Sequence, residues 1–227
     1  CNFYPFDEVL KITNSNDKIV ENIDVGGPTM VRAAAKNYKN VTVISSCDDY
    51  EKLLNELKLR KKSTSLTFRR KMSEKAFMET GSYDASIFNY FSKVSKHIYP
   101  EKKFIVSTKV EELRYGENPH QVGARYKFTN NSGWWDSATK IHGKEMSYLN
   151  LFDTEAAWRL VHAMGNDPTV TVIKHANPCG VATHDDITEA YIRANACDPV
   201  SAFGGIVAVN REVPLSLAEE LTMVWFC

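Results

Sequence analysis

No sign of charge dominates this chain: 28 Lys and Arg stand against 28 Asp and Glu in 227 residues, a formal net charge of zero. Without a basic patch or stripe there is no electrostatic footprint for nucleic acid or an anionic membrane. No run approaches the roughly 20 apolar residues of a membrane span, and no charged, apolar and small-residue series forms a signal peptide. A soluble, cytosolic protein is expected. Cysteine is sparse, at Cys1, Cys47, Cys179, Cys197 and Cys227, an odd and irregular set that reads as reduced thiols and not as a disulfide framework. Cys179, His184 and Cys197 come nearest to a metal set, but no C-x-x-C is present and no second cysteine follows Pro178-Cys179 three positions on. Neither a usual zinc site nor the zinc-deaminase signature is met, and no metal is expected. No G-x-G-x-x-G follows a strand, which removes the dinucleotide fingerprint, and there are no internal repeats or low-complexity tracts.

What is present is ordinary globular composition, 43% hydrophobic and 25% charged, enough for one large or two small packed cores. Asn2 to Phe6 reads as a strand end turned by Pro5. Ile23-Asp24-Val25 leads through Gly26-Gly27-Pro28 into a helix over Thr29 to Tyr38, with Pro28 at its first position. Val41 to Ser45 reads as a strand and Asp48 to Lys58 as a helix, a βαβ rhythm that implies a parallel sheet. Large apolar residues recur at helical spacing from Ser65 to Lys96, with Gly81-Ser82 marking a break between two helices and the excess apolar surface pointing to a partner subunit. A domain boundary falls near residues 98 to 104.

Beyond it, Phe104 to Ser107 reads as a short strand. Gly123 to Thr129 and Thr139 to Met146 read as antiparallel strands around Asn130 to Gly133. Asn150 to Met164 reads as a helix capped by Asn150 or Asp153, with Phe152, Ala156, Leu160 and Met164 inward. Thr169 to Lys174 is a buried strand that Asn177-Pro178-Cys179-Gly180 cannot continue. A helix near Ile187 to Ala196, a loop from Asp198 to Gly205, a strand Ile206 to Val209 and a helix from Ser216 complete the pattern.

Four stretches carry chemistry, each with a bland alternative. Gly26-Gly27-Pro28 offers backbone N–H groups and a positive helix end to a phosphate, or is simply a helix start. Arg32 and Lys36, one turn apart, bracket an anion, or Lys36 complements the helix C-terminus. Arg114-Tyr115-Gly116-Glu117-Asn118-Pro119-His120-Gln121 is a binding loop, with a guanidinium beside a phenol suited to a phosphate or a heteroaromatic ring, or a turn set by Gly116 and Pro119. Lys174-His175, at the carboxyl end of a strand, is a general base with a cationic neighbour, or a hydrogen-bonded histidine beside a solvated lysine. Ser201 to Gly205 allows close backbone approach by a ligand, or makes a tight turn.

Taken in order, CNFYPF, NIDVGGPTMVRAAAKN, LRYGENPHQ, HGKEMSYLNLFD, KHANPCGVA and DPVSAFGGIVAVNR closely resemble the bifunctional purine biosynthesis family, which joins an AICAR transformylase to an IMP cyclohydrolase. The resemblance covers nearly the whole chain. It implies an α/β fold: residues 1–100 as the C-terminal part of a methylglyoxal-synthase-like three-layer cyclohydrolase domain with a helical connection, and residues 101–227 as the start of a cytidine-deaminase-like transformylase domain. It implies formyl transfer from 10-formyltetrahydrofolate, a co-substrate, to AICAR, then closure of FAICAR to IMP with loss of water, in a homodimer.

By the family's motifs Lys36 is the cyclohydrolase proton donor or acceptor, Tyr4 and Asp24 line the ring-closing site, and Cys1, Asn2, Asp24 and Val25 contact the nucleotide. His175 corresponds to the transformylase base and Lys174 to its transition-state stabiliser, with Arg114, Tyr115, His175 and Gly204 contacting AICAR. The chain opens at Cys1 within an apparent strand and ends in LTMVWFC without a cap, so an internal fragment with part of each site is expected. The rival expectation is a catalytically silent nucleotide-binding or dimerisation fragment.

Overall fold

The computed structural model describes residues 2–96, 98–129 and 133–223. The chain divides into two compact units, Cys1–Val106 and Ser107–Cys227, each described by itself. Among the described residues, no helix is long and apolar enough to cross a membrane, and no three His, Cys, Asp or Glu side chains are grouped to hold a metal ion.

Among its described residues the first unit has helices and no strand: α1 (Phe6–Ile12), α2 (Asn16–Glu21), α3 (Gly26–Lys36), α4 (Tyr50–Leu59) and α5 (Leu66–Val94). The strands expected at Asn2 to Phe6 and Val41 to Ser45 are not formed, so the parallel sheet inferred from them is corrected. Val43 is buried instead among helices, in a cluster with Val31, Ala35, Met72 and Ala76. Helix α3 begins two residues before Pro28, which therefore stands third in it.

Helix α5 runs unbroken through Gly81, against the expected break. Its buried positions Met72, Ser73, Ala76, Thr80 and Tyr83 recur at three- and four-residue steps on both sides of the glycine. Continuous packing on α3 and α1 outweighs the ~1 kcal/mol that a glycine costs a helix. Ser65 caps it by accepting from the Phe68 N–H at 3.1 Å, and Ser73 Oγ donates to the Ala35 carbonyl at 2.8 Å. Phe6, Ile19 and Tyr83 form the second cluster.

The second unit mixes helices and strands. Strands β1 (Ser107–Glu112) and β2 (Ala124–Phe128) pair antiparallel. Here β2 takes its partner from the N-terminal side, and Thr139 to Met146, expected as that partner, forms no strand. Helix α6 (Tyr148–Ala163) follows, then β3 (Thr169–Lys174), β4 (Asn177–Thr183), α7 (Ile187–Cys197), the short α8 (Pro199–Ala202), β5 (Ile206–Val209) and α9 (Leu215–Thr222).

The order of the three-stranded sheet is β4-β3-β5, and both ladders are antiparallel. Val170 and Val172 face a core with Ile187, Ala190, Tyr191, Ala194 and Leu217 from α7 and α9. On the opposite face Thr171 Oγ1 donates to the Ala157 carbonyl of α6 at 3.3 Å. Helices thus cover both faces of β3, which explains its burial from Thr169 to Ile173. Ser147, not Asn150 or Asp153, caps α6, and Asn150 Oδ1 accepts from the Ser147 N–H at 3.0 Å in a reciprocal box. The inward residues of α6 are Asp153, Ala157 and Val161, one position on from the expected stripe.

Candidate functional site

Strand β3 ends at Lys174, which pairs directly with Asn177 across a two-residue turn, His175-Ala176. The chain does turn here, but Asn177 to Thr183 then continues as β4, an edge strand. Pro178 is accommodated at a register shift between Val172 and Ile173, as proline in a sheet requires. His175 and Ala176 both have positive φ, 54° and 58°, the pattern of a type I′ hairpin turn normally filled by Asn-Gly.

Three side-chain hydrogen bonds hold the conformation, two of them from outside the hairpin. Asp153 Oδ1 accepts the Ala176 N–H at 2.7 Å, Asp153 Oδ2 accepts the His175 N–H at 3.2 Å, and Asn177 Nδ2 donates to the His175 carbonyl at 2.8 Å. Sequence reasoning missed this role for Asp153. The available signal was an acid in step with Ala157 and Val161, on a face where burial demands partners.

His175 is exposed and Lys174 half-buried. Lys174 Nζ donates to the Phe203 carbonyl at 2.7 Å, which ties the end of β3 to the loop holding Gly204, at φ 75°. An ammonium has three donors, so this bond leaves two for a ligand. A cleft of about 390 Å³ opens beside the turn, lined among others by Lys174, His175, Asn177, Cys179, Asp198 and Ser201. Burial, with the Asp198 carboxylate next, pushes the Cys179 thiol above its ordinary range, so it stays protonated and is a poor nucleophile.

Arg114 and Tyr115 lie in the loop after β1. The Arg114 guanidinium sits 4.8 Å from the Tyr115 ring centroid, and its Nη2 donates to Tyr115 Oη at 3.2 Å. The Arg114 N–H donates to the Met146 carbonyl at 2.9 Å, and the Tyr148 N–H to the Tyr115 carbonyl at 3.1 Å. This loop is therefore anchored at the start of α6, the helix that carries Asp153. Gly116 stands in close quarters: a Cβ there would lie 3.0 Å from Gln121 Cβ and 3.3 Å from the Val122 carbonyl oxygen.

In the first unit, Asp24 joins Tyr4 to the start of α3. Its Oδ2 accepts the Tyr4 N–H at 3.3 Å and its Oδ1 the Gly27 N–H at 2.7 Å, while its own N–H donates to Tyr83 Oη at 2.7 Å. The chain's own carboxylate thus occupies one of the donors that the glycines were expected to offer an anion. Asn2 Nδ2 meets Cys47 Sγ at 3.5 Å, and Val25 is exposed beside Asp24. Arg32 pairs with Asp84 at 2.5 Å. Lys36 closes α3, about 15 Å along the axis from Gly26, and Phe3, next to Tyr4, packs against the cluster that holds Ala35. Cys1 lies outside the described residues.

A profile of the AICARFT/IMPCHase bienzyme matches residues 34–226. The bifunctional purine biosynthesis protein PurH of Rhizobium rhizogenes is 45% identical over 226 residues, 99% of this chain and 42% of that protein. That of Parvibaculum lavamentivorans is 43% identical over 226 residues, and that of Trichormus variabilis 44% over 222 residues, covering 43% of its length. The chain spans about two-fifths of the length of the curated relatives it matches. On a profile match that takes in Lys36, the Arg114 loop and the Lys174-His175 turn, the chain belongs to the AICARFT/IMPCHase bienzyme family.

Proposed function

We propose that the chain contributes to two consecutive steps of purine biosynthesis: formyl transfer from 10-formyltetrahydrofolate to AICAR, giving FAICAR, and cyclisation of FAICAR to IMP with loss of water. The observation that carries the first step is an exposed imidazole on a clamped turn next to a half-buried ammonium, beside an open cleft. His175 takes a proton of the aromatic 5-amino group as its nitrogen attacks the formyl carbon; the bond from that carbon to N10 of the folate then breaks, and tetrahydrofolate leaves with a proton on N10. Lys174, its position set by the Phe203 carbonyl, stabilises the oxyanion that develops there. Arg114 and Tyr115 hold the nucleotide by charge and ring stacking, and Gly204 lets the backbone approach it.

For ring closure, Asn2, Asp24 and Val25, with Cys1, contact the nucleotide at the start of α3, Tyr4 lines the ring-closing site, and Lys36 exchanges the proton. The carboxamide nitrogen bonds to the formyl carbon, whose oxygen leaves as water. We read residues 1–100 as belonging to a methylglyoxal-synthase-like cyclohydrolase domain and 101–227 to a cytidine-deaminase-like transformylase domain, in a cytosolic homodimer. The exposed Phe77, Met78 and Phe91 of α5 support an interface.

In the longest open reading frame that contains the chain, His175→Ala lowers formyl transfer by roughly 10²–10⁴-fold and spares cyclisation of supplied FAICAR; undiminished formylation defeats the assignment. Lys36→Ala impairs ring closure alone. The second reading, a silent nucleotide-binding or dimerisation fragment, is supported for the 227-residue chain by the same exposed Phe77, Met78 and Phe91 of α5. Calorimetry with AICAR or IMP beside a turnover assay on the same sample decides it, since binding without turnover marks the silent fragment.

A further inference from the structure

The turn that presents His175 adopts a backbone conformation that its own residues disfavour. L-residues avoid positive φ because Cβ crowds the following carbonyl, and neither His175 nor Ala176 is a glycine. Something outside the turn must impose the shape.

Asp153 is the group placed to do so. It is 7% exposed, and among the described residues its carboxylate has no ion-pair partner. Its hydrogen bonds go to the two turn N–H groups, one to each oxygen. A buried carboxylate without a cation is held by such bonds, and they in turn fix the groups that donate them. One and a half turns earlier on the same helix, the Tyr148 N–H holds the Tyr115 carbonyl. Helix α6 therefore carries both the anchor of the Arg114-Tyr115 loop and the clamp on the His175 turn, some 7.5 Å apart along its axis.

We infer that Asp153 is a positioning residue for His175, and that the first half of α6 sets the spacing between the imidazole and the nucleotide-holding loop. The effect on catalysis rests on the formyl-transfer reading above; the clamp itself does not. Asp153 touches no reacting atom. It keeps the imidazole where proton transfer can occur, while Arg114 and Tyr115 keep their own anchors when it is removed.

The test compares the parent protein, in the longest reading frame containing the chain, with Asp153→Ala and with Asp153→Ala/Ala176→Gly. Misplacing a base by about 1 Å costs on the order of 100-fold. The expected result is a kcat for formyl transfer lowered about 100-fold in Asp153→Ala, with KM for AICAR within about threefold of the parent. Glycine at 176 accepts positive φ unaided and is expected to recover about tenfold of kcat in the double variant. Parent-like kcat in Asp153→Ala, a loss carried by KM, or a loss that Ala176→Gly does not relieve would overturn the inference.

If the parent itself does not formylate AICAR, the functional reading falls and amide hydrogen exchange decides the clamp. Exchange at His175 and Ala176 at least about tenfold faster in Asp153→Ala, with Val170 and Val172 still protected, upholds it. Unchanged exchange at the turn, or loss of protection throughout β3, overturns it.

Discussion

A Cβ on Gly180 would stand 1.9 Å from the carbonyl oxygen of Ala194 and 3.0 Å from Cys197 Cβ. Strand β4 and helix α7 meet backbone to backbone at this point, and a main-chain carbonyl within a helix cannot swing away. Gly180→Ala is expected to destabilise the second unit by roughly 3 kcal/mol, the upper end of ordinary overpacking. Urea unfolding followed by far-ultraviolet circular dichroism checks it; an unchanged midpoint contradicts the packing.

The turn at 175–176 makes the opposite prediction. Ala176 holds φ 58°, so Ala176→Gly alone relieves steric strain but frees the unfolded chain. The net gain is expected to be about 0.5–1 kcal/mol, read as a higher denaturation midpoint at unchanged m-value.

Much of this second unit was legible in the sequence, for local reasons. The β3 strand, α7 and β5 are marked by residue type and flanking breakers within a few positions, and Lys174-His175 stood out because it ends such a strand. What was not legible depends on distant partners. Pro178 argued against a strand, yet β4 forms because it is an edge with a register shift. Phe152 was expected inside α6, yet it is 49% exposed and stacks parallel on Tyr148 at 6.0 Å, while the acid beside it turns inward to meet the hairpin. Val41 to Ser45 has the composition of a strand, but no ladder forms there; composition suggests a strand and only a neighbour makes one. Gly81 looked like a helix end because its cost is local, whereas the packing that overrides it is spread along α5.

Asp49 links stability to pH. It is 1% exposed, and Lys52 and Lys75 approach it at 2.8 and 2.5 Å. Burial pushes its carboxyl up, but the two ammonium groups outweigh burial and hold it below the ordinary range. A depressed folded-state pKa contributes stability that is present above the unfolded value, near 4, and is lost as pH falls through the folded one. Urea midpoints measured from pH 7 downward should fall on the acid side in the parent, and less steeply in Asp49→Asn. Parallel curves would reject the linkage.

Glu155 gathers three indoles. Its Oε2 accepts the Trp134 and Trp135 N–H groups at 2.8 and 3.0 Å, and Trp134 stacks on Trp135 and Trp158 with centroids 4.2 and 4.7 Å apart. Glu155→Ala removes the acceptor for both indoles, with an expected cost of about 2 kcal/mol and a red shift of tryptophan emission as the stack opens. By contrast Asp84→Ala, which breaks the exposed pair with Arg32, should change stability by less than about 1 kcal/mol.

The two bonds that shape the candidate site differ in how much chain they enclose, and so in when each can close. The β3–β4 hairpin joins neighbours across two residues, a closure that takes microseconds. The bond from Lys174 to Phe203 spans 29 residues and closes a far longer loop. The hairpin ladder can close early, but the clamp on its turn reaches back 22 residues from His175 to Asp153, so base and cation are both fixed only after distant segments have packed on the sheet.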